Sequence, residues 1–111
     1  MKKSLTLLAA VLLLLVFSFA AEPSVLLAKN GTGFTISEIY ISNSGTLNWE
    51  DGILGEDVLE DGETLRITVN GAYRKFDMRA VDETGAYVDW LQLPGSASRI
   101  TIYADGSAEY R

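Results

Sequence analysis

The dipeptide Asn70-Gly71 constrains this chain more than any other feature, because it sits between two runs in which apolar and polar residues alternate. Both central positions of a type I′ turn require positive φ, and Asn-Gly adopts it more readily than other pairs, so the pattern predicts a two-residue β-hairpin. Val69 is then expected opposite Ala72, Ile67 opposite Arg74 and Leu65 opposite Phe76. One face would carry Leu65, Ile67, Val69, Phe76, Met78 and Ala80, with Arg74 its only charge, and that face is expected to be core. A second turn, Asp82 to Gly85, leads into a third strand. Its loop can be even or odd, and a shift of one residue turns every side chain of that strand over. An even loop would bury Asp89 beside Met78 as an unpaired charge, which is costly. The odd loop, Glu83-Thr84-Gly85 with Gly85 left-handed, puts Val88 and Trp90 on the core face and Asp89 opposite Arg79 on the solvent face. Residues 64 to 93 are therefore expected to form a three-stranded antiparallel meander.

The flanking segments read as cover for it. Ser24 to Asn30 is a short apolar run ended by the turn residues Asn30-Gly31-Thr32-Gly33. Asn30-Gly31-Thr32 also matches a glycosylation sequon, but turn chemistry is the simpler reading beside a leader of bacterial type. The run from Phe34 to Ser42 changes parity midway, since Phe34 and Ile36 alternate in one phase and Ile39 and Ile41 in the other. A bulge near Ser37-Glu38 reconciles them. After a loop at Pro94 to Ser98, residues 99 to 105 alternate again, and Asp105-Gly106 turns the chain into a short last strand. Six or seven short strands and almost no helical periodicity argue for an all-β fold. The expected form is an antiparallel β-sandwich, immunoglobulin-like or C2-like.

Residues 1 to 20 stand apart. Lys2 and Lys3 precede an apolar run from Leu5 to Phe19, and Ser18-Phe19-Ala20 offers small residues at the cleavage positions, the pattern of a secretory signal peptide. The expected mature domain is a single unit, 21 to 111, with no stable membrane span once the leader is cut, in the periplasm or the extracellular space. Cleavage takes away two of the nine basic residues and none of the fifteen acidic ones, so the net charge moves from −6 to −8. Such a charge disfavours nucleic acid and anionic membrane surfaces as partners.

Chemistry is bounded first by what is missing. The chain has no histidine and no cysteine, which removes the usual general base, the usual zinc ligands and thiol nucleophiles, and no enzyme activity is expected. The stretch from Leu47 to Glu63 carries seven acidic residues and no basic one. Trp49, Ile53, Leu54, Val58 and Leu59 lie within it, so it is expected to fold back on the core as a packed loop, with a helical turn or short strand at Asp57 to Leu59. Calcium takes six to eight oxygen ligands, and Asp51, Glu56, Asp57 and Asp61 are the candidate metal ligands, although the spacing is not that of an EF-hand. The plainer reading is that these carboxylates favour turns and keep the domain soluble. The solvent face of the meander would gather Arg66, Tyr73, Lys75, Arg79 and Tyr87 around Asp77 and Asp89, a mixed basic and aromatic platform for a protein or carbohydrate. Its plainer reading is an exposed sheet face laced by ion pairs. Trp49 and Trp90 are both expected in the core.

The strings N-G-T-G-F-T-I-S-E-I-Y-I-S-N-S-G, L-G-E-D-V-L and F-D-M-R-A-V-D-E-T-G-A-Y, with Trp49 between the first two, resemble a family of small exported bacterial modules. The resemblance covers Asn30 to Tyr87 and implies a compact β-sandwich, with no reaction attached. Some similar sequences carry a cysteine near the position of Tyr73, which this chain does not. The expected function is that of an exported, non-catalytic binding or structural module of the bacterial envelope. A calcium-dependent module using loop 50–63 and a small proteinaceous enzyme inhibitor are the alternatives.

Overall fold

In the computed structural model, residues 22–111 are described, and they form seven strands with no helix. The leader expected at 1 to 20 lies outside the described residues. The strands are β1 (Ser24–Asn30), β2 (Ile36–Asn43), β3 (Thr64–Val69), β4 (Lys75–Asp82), β5 (Tyr87–Pro94), β6 (Arg99–Ile102) and β7 (Ala108–Tyr110). They make two sheets, one ordered β3-β1-β6-β7 and the other β2-β4-β5. Between them lies a core in which Leu26, Ile36, Ile39, Ile67, Phe76, Met78, Trp90 and Ile102 are almost wholly buried. Each such side chain contributes about 1.5–3 kcal/mol on burial. No helix among the described residues is long and apolar enough to cross a membrane.

Alternation holds in β3, and in β4 apart from Asp77. Ile67 and Val69 point inward, as do Phe76, Met78 and Ala80, and the second hairpin has the odd register, with Ala80 opposite Val88 and Arg79 opposite Asp89. Gly85 takes φ 88° there, and the Asp82 amide donates to Ala86 at 2.8 Å. The bulge in β2 falls between Ile36 and Glu38.

The Asn70-Gly71 hairpin does not form. β3 pairs with β1, while β4 lies between β2 and β5, so residues 70 to 74 carry the chain from one sheet to the other. Neither Asn70 nor Gly71 has positive φ. Asn70 stands instead at the first position of a turn: its carbonyl accepts the Tyr73 amide at 3.0 Å and its Oδ1 accepts the Ala72 amide at 2.9 Å. Asn is favoured there too, because its side chain mimics a backbone acceptor. Gly71 is required for space, since a Cβ at that position would overlap the Glu22 carbonyl.

Three other expectations are corrected. The sandwich is not purely antiparallel, because β1 and β6 run parallel, with Ala28 beside Ile100. Arg74, expected on the core face, is exposed in the connection between the sheets. Asp77, expected in solvent, is 4% exposed. Its carboxylate accepts the Gln92 amide at 2.8 Å and the Ser44 hydroxyl at 3.0 Å, at a bulge where Leu91 and Gln92 together oppose one residue of β4. A carboxylate sunk this far persists because backbone and hydroxyl donors replace its water.

Candidate interaction surface

The outer face of the β2-β4-β5 sheet is built from the residues that alternate with the core. Tyr40, Arg79 and Asp89 share one cross-strand row, and Tyr87 lies opposite Val81 in the next. Arg79 is fixed on several sides. Its Nε donates to Asp89 Oδ1 at 2.7 Å and its Nη2 to Asp89 Oδ2 at 2.9 Å, a fork-to-fork pair that raises the already high pKa of the guanidinium. The Tyr87 ring centroid is 4.0 Å from Arg79 Cζ and the Trp49 centroid 4.6 Å, both within cation–π range. Trp49, expected in the core, is therefore corrected: it lies half-buried over Arg79 on the outside of the sheet. Tyr87 and Leu91 remain 57% and 62% exposed on this side.

Trp49 is delivered by the acidic stretch, which runs along the free edge of β2. The Glu50 amide donates to Ile41 at 2.8 Å, Ile53 to Ile39 at 3.0 Å, and Leu59 and Ile36 form an isolated bridge. The Glu38 carboxylate, on β2, accepts the Leu54 amide at 2.6 Å and the Gly55 amide at 3.1 Å. Leu54 and Leu59 turn into the core. The stretch thus protects an edge that would otherwise present unpaired backbone groups.

Of the five residues expected to share a platform, the structure brings Arg79 and Tyr87 together. Lys75 and Arg74 border a hollow with Asn43 and Gln92 at the far end of the sheet. Tyr73 lies in the crossover, where its hydroxyl donates to Glu50 Oε2 at 2.8 Å, and the neighbouring carboxylate pushes the phenol above its ordinary pKa. Arg66 belongs to β3 and so to the other sheet. Among the candidate calcium ligands, Asp61 accepts the Gly33 amide at 2.9 Å, and Asp51, Glu56 and Asp57 are exposed. Among the described residues no three acidic side chains gather into a group that holds a metal ion.

Tyr40, Trp49 and Leu91 were not among the expected site residues. The parity of β2 after its bulge places Tyr40 outward, but only the β2–β4 pairing puts it beside Arg79. Nothing periodic marks Trp49, which sits in an irregular segment. No family model matches this chain, and no curated protein or solved structure matches it either.

Proposed function

We propose that this chain is an exported, non-catalytic binding module of the bacterial envelope, and that it contacts a protein or carbohydrate there through the outer face of the β2-β4-β5 sheet. The observation that carries the proposal is the clamp on Arg79 by Asp89, Tyr87 and Trp49, beside an exposed Leu91. Clamped side chains have little rotamer freedom left to lose, which lowers the entropic cost of association. Tyr, Trp and Arg are also the residue types that dominate binding energy at interfaces. Export rests on the basic and apolar pattern of residues 1 to 20. We place the sandwich in the immunoglobulin-like or C2-like class on its strand number and two-sheet order.

The test is made in cells. A photo-crosslinking residue is introduced at Leu91 in one strain and at Thr68, on the other sheet, in a second, and both are fractionated after irradiation. A discrete adduct from position 91 in the periplasm or medium, absent from position 68, is the expected result. The same adducts from both positions, none from position 91, or a chain confined to the cytoplasm would overturn the proposal.

A further inference from the structure

The opposite face of the molecule has a different character. On the outside of the β3-β1-β6-β7 sheet, register aligns Arg66, Leu27 and Arg99 in one cross-strand row, and Thr64, Lys29, Thr101 and Glu109 in the next. Arg111 extends the first row: the Arg99 and Arg111 backbones exchange two hydrogen bonds, each 3.1 Å. Residues exchanging both bonds in this way lie about 5.5 Å apart at Cα, and Arg66 stands two strands from Arg99, or about 10 Å. Four of the seven basic residues after the leader are gathered here. The ion pair found among the described residues is Arg79–Asp89, on the other sheet, so no carboxylate stands within ion-pair distance of these four. Like charges side by side on a sheet repel, and of the fifteen acidic residues in the chain Glu109, in the neighbouring row, lies on this face without forming an ion pair to any of the four.

Lys29, Arg99, Arg111, Thr64 and Thr101 also line one depression of about 360 Å³, with Glu109 as its single acidic wall. We propose that this depression is a binding site for a phosphate-bearing ligand, with Arg66 extending it along the row. Guanidinium groups present paired donors that match the edges of a phosphate, and the two threonine hydroxyls add neutral donors. Three cations around one hollow exceed what a single carboxylate neutralises, whereas a phosphate monoester carries close to two charges at neutral pH. The charge of the whole molecule does not oppose this. Screening at physiological salt acts over about 8 Å, so the near row outweighs distant acids. The site is independent of the surface around Arg79, because it lies on the other sheet.

The protein purified from its host is titrated with inorganic phosphate and pyrophosphate, followed by backbone amide NMR, and mixed separately with phosphatidylglycerol vesicles in a flotation assay. The expected result is saturable, salt-sensitive binding of a phosphate probe, with shifts concentrated at Lys29, Thr101 and Arg111. It should weaken about tenfold or more in Lys29→Gln/Arg99→Gln, with unchanged thermal midpoint, and persist in Arg74→Gln. Vesicle binding competed by pyrophosphate identifies a lipid headgroup as the source of the phosphate, and pyrophosphate binding without flotation identifies a soluble or polymer-borne one. No saturable binding of either probe, binding unaltered in the double variant, or binding of polyglutamate in preference to pyrophosphate would overturn the proposal.

Discussion

Arg79 and Asp89 are locked across β4 and β5 by two parallel hydrogen bonds, and each side chain is only 26% exposed. That geometry sets the second hairpin's register from the outside while Trp90 sets it from the core, where its Nε1 donates to the Tyr103 and Ser107 carbonyls. Arg79→Ala removes the fork and both aromatic contacts, and should lower stability by about 1–3 kcal/mol. Arg79→Lys keeps the charge and loses the fork, so it should recover less than half of that. Urea midpoints read the loss, and the fluorescence of Trp49 should shift to the red in both variants as its cover is removed.

Two turns bring an acid-dependent element of stability. The Asp82 carboxylate accepts the Thr84 hydroxyl at 2.7 Å and the Thr84 and Ala86 amides, and these bonds hold its pKa below the ordinary 3.8. Asp105 is lowered in the same way by the hydroxyl and amide of Ser107. A carboxylate with a depressed folded-state pKa stabilises above its unfolded value, and that stabilisation is lost as pH falls through the folded value. The wild-type thermal midpoint should therefore drop below about pH 4, and the Asp82→Asn/Asp105→Asn variant should show a shallower drop over the same range. Equal acid limbs in the two proteins would count against this assignment.

How far the sequence carried the fold depended on the range of the signal. Alternation is local, so Ile67, Val69, Phe76, Met78 and Ala80 point inward whichever strands they pair with. The second hairpin was legible because its two registers differ in whether Asp89 is buried, and electrostatics decides between them. Asn70-Gly71 failed because the dipeptide suits two turns, and the choice between them is made by a distant strand: β1 takes the edge of β3 that the hairpin would have used. Once β3 leaves, Arg66 goes with it, and the expected platform divides into an Arg79 surface on one sheet and a basic row on the other. Trp49 and Asp77 were misplaced for the same reason, since a loop laid along β2 and a bulge opposite Gln92 are tertiary facts with no period in the sequence.

Backbone strain offers an independent check on that bulge. Gln92 has φ 56° and Leu47 has φ 53°, left-handed values that cost a side-chain-bearing residue about 1–2 kcal/mol. Both side chains are exposed, Leu47 at 76%, so little packing is lost on removing them. Gln92→Gly keeps the amide that Asp77 accepts and should raise stability by up to about 1 kcal/mol, with Leu47→Gly similar. Denaturation at unchanged m-value tests this. A loss of stability in Gln92→Gly would mean that its side chain contributes a contact outweighing the strain.

Asn30 is the residue on which the acidic stretch turns. It is wholly buried, its Nδ2 donates to the Phe34 carbonyl at 2.9 Å and the Leu59 carbonyl at 3.0 Å, and its Oδ1 accepts the Thr32 amide and hydroxyl. One side chain thus joins the end of β1, the turn after it and the stretch that covers β2. Among the described residues no buried side-chain polar atom lacks a partner, so this network has no slack. Asn30→Asp preserves shape but replaces a two-proton donor with a carboxylate facing two carbonyl oxygens, and should destabilise by about 3 kcal/mol or more at neutral pH. The introduced carboxyl would have a raised folded-state pKa, so its penalty is full above that value and shrinks as acid protonates it. Hydrogen exchange should quicken first at Leu59 and Ile36, whose amides bridge the stretch to β2, and the gap from wild type should narrow on acidification. In Asn30→Ala the same amides should quicken with no such narrowing, which separates the lost donors from the added charge.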